Sequence, residues 1–369
     1  MTLRLPELNH IKIDKAELAT KGHIIRIILT YLKGWSSWAL LTIVLSTNSH
    51  AEESVAFNTL NLNPMIQIFG LPSLSNQIVN AKNSFQIELE QQAGNYHSQS
   101  SLQSEHVKLD GETWRTNITI AYGLTNNSQL SVSAPYLRHS SGYMDNLIYS
   151  WHDAFGMPQG ERTKESNNEI DIQYNTNQYN ANQYNTTRQN QIDIDSPESG
   201  IGDIRIKYAY KLPAFSREIL LQSEVKLPTG DANTLTGSGG TDLSFGFMFN
   251  DGASFSHQQI TIWGGAAATY LGQADAPLSK EQKTLVWSAR TGMGWRLNDT
   301  ITLKTQLDGH SAAYDSNTTE LGSGSMMLTV GGDYYFSPDY RLEIAAVEDL
   351  ITEASPDIIF SAKLSVTLN

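Results

Sequence analysis

Between Gly200 and Gly230 the chain reads GIGDIRIKYAYKLPAFSREILLQSEVKLPTG, two alternating runs about a short connection. Ile204, Ile206, Tyr208 and Tyr210 alternate with Asp203, Arg205, Lys207 and Ala209. After Leu212–Arg217, the residues Ile219, Leu221, Ser223, Val225 and Leu227 alternate with Leu220, Gln222, Glu224 and Lys226. A period of two sends successive side chains to opposite faces of a strand. Each run is about 9–11 residues, the length at which a tilted strand crosses a bilayer. One face is apolar and the other carries full charges of both signs. A soluble sandwich would bury the apolar face and wet the charges. A membrane barrel turns the apolar face to lipid and the charges to its lumen. The hairpin alone fits either.

The same period recurs along the chain. It runs through Phe85–Glu90, Trp114–Tyr122, Leu130–Tyr136, Leu243–Phe249, Ile260–Tyr270, Leu285–Arg296, Ile301–Asp308, Leu328–Phe336, Arg341–Ala346 and Ile358–Leu368. With the central hairpin that makes about twelve strands, an even number such as closed bacterial barrels use. The connections decide between the two architectures. Those at 93–111, 138–201, 228–240, 271–283, 312–325 and 350–356 are long, and those at 123–128, 213–217, 251–257, 297–299 and 337–339 are mostly short. Long and short alternate, as external loops and periplasmic turns do in an outer-membrane barrel. Trp114, Tyr122, Tyr136, Tyr210, Tyr270, Trp287, Trp295 and Phe336 sit near strand ends, as interfacial aromatic girdles would. The expected fold is therefore all-β, a closed antiparallel transmembrane β-barrel of about twelve strands over 83–369, with long external loops and short periplasmic turns.

What precedes the barrel reads as an export signal. Arg26 and Lys33 lead into the apolar Trp38–Ser46, and Ser49-His50-Ala51 is a small-x-small site before Glu52-Glu53. Residues 1–51 are expected to be a signal peptide cleaved near Ala51, which places the mature chain in the bacterial outer membrane. Residues 52–82, with Pro64, Gly70 and Pro72 and no clear period, read as a periplasmic lead-in or a plug. With no cysteine, disulfides and cysteine zinc sites are excluded. A net charge of −13 argues against nucleic acid as a partner.

The segment 138–201 is expected to be one long external loop. It holds a polar tract at 173–185 in which Gln-Tyr-Asn recurs every five residues, and which reads as a mobile expansion.

Several segments together resemble a family of bacterial outer-membrane barrels catalogued only as a domain of unknown function (number 3187). They are Asn61-Leu62-Asn63-Pro64 leading into Ile68-Phe69-Gly70-Leu71-Pro72, then Leu109-Asp110-Gly111-Glu112-Thr113 and Trp151–Gly160 (WHDAFGMPQG). Gly200-Ile201-Gly202-Asp203 and Leu227-Pro228-Thr229-Gly230-Asp231 complete the pattern. The resemblance implies a fold and a location but no established activity. The Gln-Tyr-Asn tract departs from it as an insertion.

Candidate functional residues fall in two places. The inward faces carry lumen charges of both signs, among them Glu88, Arg115, Asp203, Arg205, Lys207, Glu224, Lys226, Arg290, Arg296 and Asp333. Their near balance suggests paired charges across a narrow lumen, with a substrate path along them as the alternative. In the external loop, Trp151, His152, Asp153 and Phe155 combine aromatic and ionisable groups and could form a constriction or ligand contact; packing of the two aromatics onto the strands is the plainer reading. No metal site or cofactor is called for. A lipid-hydrolysing barrel would need Ser and His on one face with an oriented third group. Only His139 and Ser141 share a face, and no third partner is evident. The sequence thus points first to a passive channel or transporter for a small solute. The second reading is a closed barrel with a structural or surface-interaction role, and an enzyme is a distant third. The expected partners are outer-membrane lipid, the barrel-assembly machinery during biogenesis and a small solute.

Overall fold

The computed structural model describes residues 54–71, 74, 79–102, 105–155, 167–180, 185–213, 215, 217–275, 279–350 and 353–368. The expected signal segment lies outside the described residues.

Among the described residues, fifteen strands, all paired antiparallel, form one sheet. In chain order they are β1 (Phe85–Leu102), β2 (Glu105–Thr125), β3 (Ser128–Ser140), β4 (Asp171–Asn180), β5 (Asn185–Ile194), β6 (Glu198–Ile201), β7 (Arg205–Lys211), β8 (Glu218–Lys226), β9 (Asp242–Asp251), β10 (Ile260–Tyr270), β11 (Leu285–Arg296), β12 (Ile301–His310), β13 (Ser325–Ser337), β14 (Tyr340–Asp349) and β15 (Ile358–Leu368). β1 pairs with both β2 and β15, and β3 pairs with both β2 and β7, so the ladder closes on itself. Setting aside β4, β5 and β6, which extend the upper ends of β2 and β3, leaves 15 − 3 = 12 strands in the closed barrel.

The strands are inside-out relative to a soluble protein. In β3, Ser131 is buried while Leu130, Val132 and Tyr136 are exposed; in β12, Thr302, Lys304, Gln306 and Asp308 are buried while Leu303 and Leu307 are exposed. Phe245, Trp287, Val330 and Ile344 continue the exposed apolar surface on β9, β11, β13 and β14. The alternation read from the sequence therefore decides which side chains share the interior.

Two stretches depart from the sequence reading. The polar connection expected at 93–111 is instead ladder, because β1 runs on to Leu102 and β2 begins at Glu105. Past Asn95 the strand β1 is polar but for Tyr96 and Leu102, and in the facing stretch of β2 only Val107 and Leu109 are apolar, so the amphipathic signal fades although backbone pairing does not. Much of the tract at 173–185 likewise lies in the β4–β5 hairpin, where Ile172 pairs with Ile194 and Tyr174 with Ile192. Between β3 and β4 stands the helix α1 (Asp145–Phe155). Its start is fixed by Glu112, whose carboxylate accepts from the amides of Tyr143 (2.8 Å) and Met144 (2.6 Å) and from the Trp114 indole (3.0 Å). Gly142 must be glycine there: its φ is +67°, and a Cβ would lie 1.8 Å from the Glu112 carboxyl carbon.

The interior is filled by the chain's own segment from Ser54 to Leu74. Its described residues contribute no strand. Asn61 and Asn63 fold it into consecutive side-chain turns, each side-chain oxygen accepting from the amide two residues on (2.9 and 3.0 Å). This throws Met65, Ile66, Ile68, Phe69 and Leu71 into an apolar cluster. Tyr96, Val107 and Leu109 of the β1–β2 extension, Ile172, Tyr174, Ile192 and Ile194 of the hairpin, and Leu235, Leu271, Tyr314 and Leu321 from the loops join them. The Tyr314 hydroxyl donates to the Met65 carbonyl at 2.7 Å and its ring lies 5.3 Å from that of Phe69.

Candidate functional site

Below the apolar cluster, side chains from across the barrel wall hold the inner segment by its main chain. A segment without ladder partners must find other acceptors and donors for its backbone, and here the inward polar residues provide them. Arg290 of β11 donates from Nη1 to the carbonyls of Phe57 (2.8 Å) and Leu74 (2.7 Å) and from Nη2 to that of Thr59 (3.3 Å). Its Nε donates to Asp308 Oδ1 at 2.6 Å. Arg205 of β7 donates to the carbonyls of Leu71 (2.9 Å) and Phe69 (3.0 Å), with Glu224 3.5 Å away. Lys304 of β12 donates to the Val55 carbonyl (3.1 Å), to Asp333 (3.0 Å) and to Glu343 (2.5 Å), and its Nζ lies 4.1 Å from the Phe57 ring centroid. Gln306 clasps Phe57 from both sides, accepting from its amide at 2.9 Å and donating to its carbonyl at 3.3 Å. The Thr59 and Thr329 hydroxyls meet at 2.8 Å.

A second set of charges ties strands to loops. Lys226, 1% exposed, is bonded to Asp203, to Ser238 Oγ (2.6 Å) and to the Gly240 carbonyl (2.9 Å). Asp242, 3.4 Å from the same ammonium, accepts from the amides of Gly70 (2.6 Å) and Gly272 (2.9 Å). Gly70 has no room for a side chain, since a Cβ would come within 2.9 Å of Asp242 Cβ. The Phe69-Gly70-Leu71 motif is thus the point at which the segment passes close to the wall.

The other sequence-predicted lumen charges also cluster. Lys207 lies 3.3 Å from Glu224, and Arg115 lies 3.6 Å from Glu90 and 3.3 Å from Gln92. Glu88 accepts from Ser365 at 3.3 Å, and Asp333 stands between Lys304 and Arg341 (3.9 Å). Arg296 sits half-buried at the end of β11 beside the short connection to β12. Asp153 is exposed on α1, and the side chains of Trp151, His152 and Phe155 lie outside the described residues. His139 is spent structurally: the Thr113 hydroxyl lies 2.9 Å from Nδ1 and the Leu235 carbonyl 3.1 Å from Nε2.

The sequence reading gave no role to Gln306, nor to Glu112 beyond its place in the Leu109–Thr113 motif. Gln306 was visible as an inward position of β12, but the main-chain groups it binds carry no sequence signal. Two small cavities lie beside the inner segment. A cavity beside Asn58, lined by Arg115, Arg205 and Lys207, offers about 40 Å³ to the centres of water molecules, and another beside Asn61 and Asp308 offers about the same. Each holds a few waters and neither is a continuous pore.

Among solved structures, the chain is similar to the COG4313 outer membrane channel from Pseudomonas putida F1 at 12% identity, over 78% of this chain and 96% of that one, with a TM-score of 0.48. It is similar to the NanC porin at 10% identity, over 77% and 99% of the two chains, TM-score 0.42. The translocator domain of the autotransporter NalP from Neisseria meningitidis aligns at 11% identity over 79% and 89%, TM-score 0.36. No curated protein sequence matches the chain. At the level of family the match is direct: over residues 36–367 this chain belongs to the family described as Protein of unknown function (DUF3187).

Proposed function

We propose that this protein is a bacterial outer-membrane channel that admits a small polar solute when its inner segment moves, and that the segment closes it at rest. The exposed apolar wall of an even-numbered antiparallel barrel supports the membrane location, because lipid is the medium that such a surface fits. One observation carries the channel reading: the lumen is closed by a segment that takes no part in the ladder. Ser54–Leu74 is held below its apolar cap by hydrogen bonds from Arg205, Arg290, Lys304 and Gln306 to main-chain groups. Water can replace such bonds once the segment is displaced, while all twelve strand pairings persist.

The competing reading is a permanently closed barrel with a surface role, which the β4–β5 hairpin projecting from β2 favours. A crosslink separates the two. The chain has no cysteine, and the Thr59 and Thr329 hydroxyls are 2.8 Å apart, so Thr59→Cys with Thr329→Cys would tie the segment to β13. Planar-bilayer recordings of the full mature chain should show openings in the reduced double variant and silence when it is oxidised. Equal conductance in both states refutes the segment as gate, and silence in reduced, oxidised and unaltered protein alike favours the closed barrel.

A further inference from the structure

We propose that the lumen cavity beside Asn58 is a binding site for a small oxyanion, the carboxylate or phosphate group of the solute. The assignment to a transported solute rests on the channel reading; the site itself does not. Five cations, Arg115, Arg205, Lys207, Arg341 and Lys363, reach the cavity lining from four strands, against two carboxylates, Glu88 and Glu224. Three more carboxylates lie near these cations: Glu90 3.6 Å from Arg115, Glu343 3.0 Å from Lys363 and Asp333 3.9 Å from Arg341. At the lining itself the cations outnumber the carboxylates five to two.

Two of them have donors left over. Arg205 is 8% exposed and spends Nη1 and Nη2 on the carbonyls of the inner segment and on Glu224, but its buried Nε has no hydrogen-bond partner. The buried Nε of Arg341 also lacks a hydrogen-bond partner, its nearest ion-pair contact being the long one to Asp333. A guanidinium carries five N–H donors and no acceptor, and leaving one of them buried and unmade costs free energy. The fitting complement is an acceptor-only group carrying negative charge, which a planar fork binds well. Ser131, Ser133 and Asn117 in the same lining supply neutral donors.

Size narrows the class. With about 40 Å³ open to the centres of water molecules, the cavity admits a few waters or a small ion. That suits a small group such as a carboxylate or phosphate. The excess of cations over carboxylates at the lining disfavours a metal ion or an ammonium in the same place.

The test is calorimetric titration of inorganic phosphate, and separately of acetate, into the full mature chain in detergent and chloride-free buffer. One saturable site is expected. Lys207→Gln and Arg341→Gln should each weaken it tenfold or more, whereas Lys211→Gln, in a lysine on the turn side and outside the cavity, should leave it unchanged. The tighter of the two anions names the solute's charged group. No saturable heat with either anion, or binding equal in all three variants, overturns the site. Should the cavity variants fail to fold, the unaltered chain carries the test: phosphate must raise its unfolding temperature saturably over sodium chloride at equal ionic strength, and no such rise overturns the proposal. The two readings fail separately. A chain that binds phosphate at one site yet never conducts loses the channel and keeps the site, and one that conducts without saturable binding does the reverse.

Discussion

Replacing Arg290 with alanine tests how the inner segment is held. The side chain makes three hydrogen bonds to segment carbonyls, two of them short (2.7 and 2.8 Å) and one long (3.3 Å), and pairs with Asp308 through Nε and Nη2. A hydrogen bond from a charged donor is worth about 1.5–3 kcal/mol, so the two short bonds set a range of about 3–6 kcal/mol for holding the segment. Water recovers part of this once the segment leaves, so about 3 kcal/mol is expected, roughly a hundredfold in the equilibrium for release at about 1.4 kcal/mol per decade. A separate penalty falls on the wall, because Asp308 stays buried without its cation, and breaking such a pair costs about 3–5 kcal/mol. Arg290→Ala with Asp308→Asn removes the second effect and keeps the first. Hydrogen exchange reads both. The Phe57 amide, bonded to Gln306, and the Gly70 amide, bonded to Asp242, should exchange about a hundredfold faster in the double variant. The amides of the β12–β13 ladder should stay within about threefold of the unaltered chain. Unchanged exchange at Phe57 in a folded variant would refute the view that Arg290 holds the segment.

Three further outcomes follow from the loops and the buried charges. Gly142→Ala forces a Cβ onto the Glu112 carboxylate at positive φ, so the start of α1 should lose about 1–3 kcal/mol of local stability, read as faster exchange at Met144 and Ile148 with an unaltered barrel. Glu320, in the single helical turn Thr319–Gly322, is buried with one hydrogen bond from Ser100 (2.6 Å), and burial pushes its carboxyl above the usual range. A raised carboxyl favours the folded loop when protonated, so that stability is present below the unfolded value of about 4.3 and is lost as pH rises through the folded value; exchange in the turn, corrected for intrinsic rate, should show this loss and Glu320→Gln should abolish it. Lys226→Met leaves Asp203 and Asp242 buried without their shared cation, and should cost about 3–5 kcal/mol, seen as a lower temperature for loss of the compact barrel band on gels.

The barrel was legible because its period is local. Leu130, Val132 and Tyr136 point outward and Ser131 inward whatever the rest of the chain does, and the alternation of connections chose barrel over sandwich. Partners were less so. Lys226 alternates plainly within its strand, but its meeting with Asp203 and Asp242 is fixed by the register of β8 against β9 and by the loop at Gly240. The inner segment left no period to read, because Met65, Ile66 and Phe69 are presented by turns rather than by a strand. The ladder beyond Asn95 escaped notice for the opposite reason: His97, Ser98, Gln99 and Ser100 pair along the backbone of β2 but are polar throughout, so this end of β1 shows no apolar alternation. In the β4–β5 hairpin, a five-residue repeat hid a two-residue period.

The residues that fill the lumen come early in the chain, while much of what grips them comes near its end. Phe57 is bonded to Gln306 across 249 residues and Thr59 to Thr329 across 270. Contacts so distant in sequence form late, after many loops have been closed. Until β11, β12 and β13 exist, Arg290, Lys304 and Thr329 are not there to receive the segment, and once β1 meets β15 the wall around it is continuous. Seating of the whole segment therefore reports completion: a chain halted before β11 has Arg205 and Asp242 to hold Phe69–Leu71, but nothing yet of Arg290, Lys304, Gln306 and Thr329 to hold Val55, Phe57 and Thr59.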